Sequence, residues 1–296
     1  MTPASMRRIG EIMNRKEATM SDKEKLTVTS FAKMKQAGTK IVMVTAYDYA
    51  MGRAVSQTDV DIILVGDSLG MVVLGYETTV QVTMADMISH TAATRRGAPD
   101  TFIIGDMPFM SYHDVTSAKL NAAALIVEGG ANAVKLEGGS PSRIEAVKAI
   151  VDCEIPVCGH IGLTPQSVHR FGGYKVQGKS VKAHDDLIQQ ARLLEEAGAF
   201  MLVLEGIPEL LGKEITKAVS IPTIGIGAGR HTDGQVLVWH DMLGMNPNVA
   251  KFVKVYGELG AQTVHALSEY VNDVREGSFP AETQVYYPIK IREGSE

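Results

Sequence analysis

The sequence predicts an α/β fold, and within that class a (β/α)8 TIM barrel with extra C-terminal helices. Three observations lead there. Eight short β-branched runs recur from Lys40 onward. Between them lie stretches with apolar residues at helical spacing, bounded by residues that start and stop helices. The runs are nearly continuous in apolar character, as strands of a parallel sheet covered on both faces must be. An open doubly wound sheet shows the same alternation, and the count of eight favours closure.

The strands are expected at residues 41–45, 61–65, 101–105, 133–136, 156–159, 200–204, 222–226 and 235–239. The helices between them carry their own signals. Thr83 and Asp86 form an acidic capping box, Met84, Met87, Ile88 and Ala92 line one face, and Gly97 can close the end. Ser140 followed by Pro141 is a cap followed by proline at the first helical position, and Ile144, Val147 and Val151 continue that face. Leu187, Ala191, Leu194 and Ala197 mark another helix, stopped at Gly198. Pro208 opens one that runs to about Val219. Beyond Asn246, helices are expected at about 249–256 and 261–275.

The 296 residues fit one barrel of about 250 residues with surplus at both ends. Residues 1–20 read as a disordered leader, 21–280 as a single barrel domain with a C-terminal helical addition, and 281–296 as an extended tail. The leader has no apolar core of the secretory type, and its arginines are interrupted by Glu11 and Glu17.

Several function classes fall away. The net charge of −5, from 29 basic and 34 acidic residues, argues against nucleic acid as a partner. The longest purely apolar runs have six residues, against about 20 for a membrane span. Two cysteines, Cys153 and Cys158, make no disulfide framework and fit a reducing compartment.

Functional residues of a parallel barrel sit where the strands end. Those positions hold Tyr47-Asp48, Gly66-Asp67-Ser68, Asp106-Met107-Pro108, Lys135 to Gly139, Gly159-His160, Glu205, Gly225 to Gly229, and His240-Asp241. Every strand but the seventh delivers an ionisable group to one rim. Each has a plainer reading. Asp48, Asp106 and Asp241 can be helix caps. Lys135 and Glu137 alternate, so they share a face and can form a structural ion pair. His160 can be a satisfied core histidine. Glu205 ends a buried run, where a carboxylate needs a partner or a task. The Gly225–Gly229 loop can cradle a phosphate or simply turn tightly, and Cys158 reads as core. Together, Asp67, Asp106 and Glu137 form a carboxylate cluster that a cation would neutralise. Oxygen ligands suit Mg²⁺, and no His/Cys cluster with zinc spacing occurs. A metal, a base, a lysine and a histidine suit proton abstraction beside a carbonyl.

The segments that hold these residues resemble one family. They are Val65-Gly66-Asp67-Ser68-Leu69-Gly70-Met71, His90 to Pro99, Val134 to Gly139, Pro156 to Gln166, Phe171 to Gly178, Val203-Leu204-Glu205 and Ile224 to Gly229. In this order, from about Thr27 to Pro280, the chain is similar to the ketopantoate hydroxymethyltransferases. The resemblance implies a (β/α)8 barrel that uses Mg²⁺ and the co-substrate 5,10-methylenetetrahydrofolate. The reaction implied is hydroxymethyl transfer to 3-methyl-2-oxobutanoate, giving 2-dehydropantoate for pantothenate biosynthesis. Carried over by motif, Asp67, Asp106 and Glu137 belong to the metal site, some of them acting through water. Asp67, Ser68, Asp106 and Lys135 would contact the keto acid, His160 would line its pocket, and Glu205 would accept the proton. A cytoplasmic homodecamer, a pentamer of dimers, is also implied, with neither nucleic-acid nor membrane partners. The rival reading is a Mg²⁺-dependent 2-oxo acid lyase or mutase of the phosphoenolpyruvate mutase and isocitrate lyase type. A non-catalytic protein on the same fold would lack one of the four acids, and all four are present. No motif identifies a folate pocket.

Overall fold

A computed structural model describes residues 25–287. The expected leader, and the tail beyond Tyr287, lie outside the described residues. Eight strands run Ile41–Thr45 (β1), Ile62–Val65 (β2), Phe102–Asp106 (β3), Ala133–Glu137 (β4), Val157–Gly162 (β5), Met201–Glu205 (β6), Thr223–Ile226 (β7) and Gly234–Leu237 (β8). They pair in parallel, each with its neighbour in sequence, and β8 pairs β1 to close the barrel. The largest departures from the expected bounds are β5, which runs on to Gly162, and β8, which stops at Leu237.

The helices are Val28–Ala37 (α1), Tyr49–Ser56 (α2), Leu69–Val72 (α3), Met84–Gly97 (α4), Val115–Val127 (α5), Pro141–Val151 (α6), Val168–Phe171 (α7), Val181–Glu196 (α8), Glu209–Ala218 (α9), Trp239–Met242 (α10) and Leu259–Glu276 (α11). The capping box on α4 forms in both directions. Asp86 N donates to Thr83 Oγ1 at 3.2 Å, and Thr83 N donates to Asp86 Oδ2 at 2.9 Å. Asp48 is the cap of α2, accepting from Met51 N at 2.7 Å, so its plain reading holds. The helix expected at 249–256 does not form. That stretch makes a single turn, with Val253 N donating to Ala250 O at 2.9 Å. Phe252 is spent against Gly227, where a Cβ would lie 2.6 Å from its ring.

Strand alternation explains what fills the barrel. Phe102 and Ile104 of β3, Ala133 of β4, Cys158 of β5, and Met201 and Val203 of β6 belong to one buried cluster with Ile41, Met43, Ile62 and Leu64. The next residues along the same rows are Asp106, Lys135 and Glu137, His160, and Glu205. The interior is therefore packed below and polar at its C-terminal mouth, with no channel between.

Helix α1 closes the other end. Phe31 meets Phe102 edge-on, with ring centroids 5.0 Å apart, and Phe102 meets Phe200 at 6.0 Å. Lys35 Nζ donates to the carbonyls of Thr216, Val219 and Ile221 at 2.8–3.1 Å. It also pairs with Asp233 at 3.1 Å. That carboxylate accepts from Thr223 N, and the Asp233 carbonyl accepts from Ile41 N. One lysine thus gathers the seam between β7, β8 and β1.

The chain divides into two compact units. The barrel unit runs to Trp239 and includes Ala250–Val253; the other comprises His240–Val249 and the chain from Lys254. In the second, Tyr256 N donates to Met242 O at 2.7 Å and Leu259 N to Leu243 O at 2.9 Å. Its main helix, α11, carries no buried residue.

Helix α4 packs on α2 at backbone contact. A Cβ on Gly97 would lie 2.2 Å from Tyr49 O and 2.8 Å from Arg53 N. Overpacking of this kind costs about 1–3 kcal/mol, more than the ~1 kcal/mol that alanine gains over glycine in a helix. Gly97→Ala is therefore expected to lower stability by about 2 kcal/mol, read as a lower urea midpoint with an unchanged slope.

Candidate active site

Register brings the rim residues together. Asp106 lies beside Lys135 across β3 and β4, Glu137 beside His160 across β4 and β5, and Gly162 beside Glu205 across β5 and β6. Lys135 is 4 % exposed, and its Nζ lies 3.1 Å from Asp106 Oδ1 and 3.2 Å from His160 Nδ1. Asp67, from the turn after β2, donates its backbone N–H to Asp106 Oδ2 at 3.0 Å. His160 bridges two carboxylates, with Nδ1 3.5 Å from Glu137 Oε1 and Nε2 3.2 Å from Glu205 Oε2. Ser68 lies half-buried at the edge, its hydroxyl 2.9 Å from that of Tyr47. All the residues expected at the site therefore line one mouth. Asp241 accepts from Asn246 Nδ2 at 2.5 Å.

Two residues with no assigned role complete the arrangement. Gln166, behind the turn after β5, donates Nε2 to Asp67 Oδ2 at 2.8 Å and to Met107 O at 3.0 Å. Its backbone N–H donates to Glu137 Oε2 at 3.0 Å. Its side-chain oxygen accepts from the Tyr112 hydroxyl, which itself accepts from Glu137 N at 3.3 Å. One residue thus holds two acids, Asp67 from the turn after β2 by its side chain and Glu137 of β4 by its backbone. The only sequence signal was its place in the Pro156–Gln166 segment; a glutamine in a loop carries no spacing that announces a bridge.

Electrostatics follow from crowding. Burial, then the charges of Glu137 and Asp106, hold the Asp67 carboxyl well above the usual range, against the pull of Lys135 and Gln166. Burial also raises Asp106, while Lys135 opposes the shift. Burial would strip the proton from Lys135, but Asp106, Glu137 and Asp67 outweigh it and hold the amine charged. Burial and the Lys135 ammonium resist charge on His160, yet its contacts with Glu137 and Glu205 push its pKa up to about 9. The contacts point the other way. An ammonium can only donate, so its 3.2 Å approach makes Nδ1 an acceptor and puts the ring proton on Nε2, which lies 3.2 Å from Glu205 Oε2 but out of line for a hydrogen bond. A second proton would have to point at Lys135, so the neutral ring is the form the geometry supports. Burial pushes the Cys158 thiol up to about 12, which leaves it an inert part of the core.

The residues fit a hard cation. Glu137 Oε1 is buried with no hydrogen bond, Asp106 Oδ1 has only the Lys135 ammonium at 3.1 Å, and the charge of Glu137 raises the pKa of both Asp67 and Asp106 beside that single ammonium. Among the described residues, no three His, Cys, Asp or Glu side chains are arranged to hold a metal ion by themselves. That suits Mg²⁺, which takes one or two carboxylates and completes its shell with water and substrate. The Gly225–Gly229 loop has a packing reason for its glycines: Gly227 and Gly229 take positive φ, and side chains there would strike Phe252 and Glu209.

Known proteins resemble this chain over most of its length. The family model described as "Ketopantoate hydroxymethyltransferase" matches residues 25–282. A relative from Clostridium acetobutylicum, named 3-methyl-2-oxobutanoate hydroxymethyltransferase, is 54% identical over 264 residues, 88% of this chain and 95% of its own. A Clostridium botulinum protein of the same name is 54% identical over 258 residues, 86% of this chain and 94% of its own. Among solved structures, 2,3-dimethylmalate lyase, of the PEP mutase/isocitrate lyase superfamily, shares the fold. It has a TM-score of 0.57 at 15% identity, over 88% of this chain and 91% of that one.

Removing Lys135 tests the electrostatic account. Lys135→Met leaves Asp106 buried without its partner and is expected to cost about 3–5 kcal/mol. The folded-state pKa of Asp106 is already raised, so the folded variant binds a proton more readily than the unfolded chain. Its stability should rise as pH falls toward that pKa, and the deficit against wild type should shrink. Urea titrations at several pH values check both the size and the sign.

Proposed function

The chain belongs to the ketopantoate hydroxymethyltransferase family, and from that premise we propose the reaction its site performs. A hydroxymethyl group passes from 5,10-methylenetetrahydrofolate to 3-methyl-2-oxobutanoate, giving 2-dehydropantoate. The observation that carries the reading is the contact between Glu205 and His160 beside a buried ammonium, at the packed floor of the barrel mouth.

Each side chain has a task. Lys135 and Ser68 hold the substrate carboxylate, the lysine by charge and the serine by its hydroxyl, which Tyr47 orients. Asp67, Asp106 and Glu137 would hold Mg²⁺, some of them through water. Bound there, the ion supplies Lewis acidity toward the keto oxygen, which makes the C3 proton more acidic. Glu205, the least buried of the four acids at 17 % side-chain exposure, takes that proton. His160 engages Glu205 Oε2 and leaves the other oxygen to act as base. Gln166 keeps Asp67 and Glu137 in place while charge shifts.

The assembly reading rests on α11, where Val264, Leu267, Val271 and Val274 are all exposed on one face. Such a face suits contact with another copy, and the family resemblance implies a homodecamer, a pentamer of dimers. The cytoplasmic reading draws support from Cys153 and Cys158, both free thiols. No helix of the described residues is long and apolar enough to cross a membrane.

Glu205→Gln should abolish exchange of the C3 hydrogen of 3-methyl-2-oxobutanoate in D₂O, a loss of at least the 10²–10⁴-fold typical of a general base. Binding of the keto acid should stay within a few-fold. Exchange retained in this variant would assign the base to another residue. Chelation with EDTA is expected to stop exchange, with Mg²⁺ restoring it. In thermal melts, the keto acid should raise Tm only when Mg²⁺ is present.

A further inference from the structure

The parallel ladder between β3 and β4 changes character at the mouth. Met107 N donates to Lys135 O at 2.8 Å, and the next bond of such a ladder would join Glu137 N to Met107 O. Both groups bond elsewhere. Glu137 N donates to the Tyr112 hydroxyl at 3.3 Å, and Met107 O accepts from Gln166 Nε2 at 3.0 Å. The two side chains are joined in turn, the Tyr112 hydroxyl donating to Gln166 Oε1. They stand as a wedge between the two ends of that rung, and the amide also reaches Asp67 Oδ2 at 2.8 Å. Both line a cavity of about 380 Å³, between the ends of β4 and β5 and the first turns of α8. On that side their orientation is set by bonds rather than by packing.

The direction of each bond follows from chemistry. A backbone N–H only donates, so the phenol oxygen accepts from Glu137 and its one proton goes to Gln166 Oε1. A backbone carbonyl only accepts, so the atom of Gln166 that faces Met107 is the amide nitrogen, which also donates to Asp67. The donors therefore run one way, from the backbone of β4 to the Asp67 carboxylate. Burial and the Glu137 charge raise the Tyr112 pKa, so the phenol keeps the proton it gives. The segment that carries Tyr112 is pinned from two helices. Asn121 of α5 donates to Ser111 O at 2.6 Å. Arg143 of α6 donates to Tyr112 O at 3.3 Å and lies over the ring at 4.6 Å. We propose that Tyr112 is a positioning residue, a reading that rests on the Mg²⁺-dependent reaction above: its hydroxyl sets the direction of the Gln166 amide, and through that amide it holds Asp67 as an acceptor for a divalent cation. Without the phenol proton, Gln166 Oε1 is a buried acceptor with no donor. The amide must then leave its place to find one, and the cavity gives it room.

Three variants test this role. Tyr112→Phe keeps the ring under Arg143 and removes only the hydroxyl, Gln166→Met removes the amide, and the third combines the two. Mg²⁺ binding is read by calorimetry with saturating 3-methyl-2-oxobutanoate, C3 exchange in D₂O at limiting and at saturating Mg²⁺, and folding by thermal melts. Losing a group that orients a metal ligand costs about 10–100-fold in metal affinity. Tyr112→Phe is expected to raise the Kd for Mg²⁺ by that factor and to slow exchange at limiting Mg²⁺, with the rate recovered at saturating metal. Because the phenol acts through the amide, the double variant should bind Mg²⁺ no more weakly than Gln166→Met alone, whereas independent losses would multiply. An unchanged Kd in Tyr112→Phe, in a protein whose wild type binds Mg²⁺, overturns the positioning role alone, whether or not exchange slows. Losses that multiply in the double variant overturn it too. A wild type that binds no Mg²⁺ in the presence of the keto acid overturns the metal reading as well. If Gln166→Met fails to fold, the Kd of Tyr112→Phe decides.

Discussion

The mouth of this barrel depends on one buried ammonium. Lys135 stands where Asp67, Asp106 and Glu137 converge, and without a positive charge that convergence would drive itself apart. Burying an amine is unfavourable, and burying three carboxylates is worse; each becomes tolerable through the others. The balance is incomplete. Asp67 and Asp106 are both displaced toward their protonated forms, and the buried Glu137 Oε1 has no hydrogen bond. A centre left short of positive charge is one prepared to receive a cation with its substrate, and the lysine makes that preparation stable enough to fold.

The position of this centre follows from a single change along the inward rows of the strands. The rows of β3 to β6 are apolar for their first residues and ionisable at their last. Because these rows are fixed by the period of the strand, only Asp67 has to be brought into place by a turn. Groups that are held by strand register and by the Gln166 bridge need little rearrangement as charge develops, which is where electrostatic catalysis draws most of its effect. The packed hydrophobic floor removes the other route by which water and ions could approach.

Much of this was legible in the sequence, and what was not has a physical explanation. The eight runs, the capping box at Thr83 and the cap-then-proline at Ser140 are local signals, and local signals survive without tertiary knowledge. Lys135 and Glu137 could be placed on one face by alternation alone. Asp48 could not be told from a site residue, because a cap and a rim acid look alike until the helix after it is seen. Gln166 and Tyr112 were missed since their bonds run to residues on other strands. The helix expected at 249–256 had the right composition, but Phe252 is drawn to Gly227, a contact no window of that length contains. The family likeness named the acids and the base, whereas the cavity beside them is defined only by how helix and loop pack.

The junction at Lys35 has a consequence for how the chain is made. The three carbonyls it binds, at the end of α9 and just ahead of β7, lie 181 to 186 residues further along. At the usual pace of about 5–20 residues per second, a ribosome needs roughly 10–40 s to deliver them. Through that interval Phe31 can meet Phe102, but Lys35 lacks the carbonyls that anchor the helix over the barrel end. Closure is thus a late event, governed by synthesis of the last strands, and the first helix finds its anchor only when they are made.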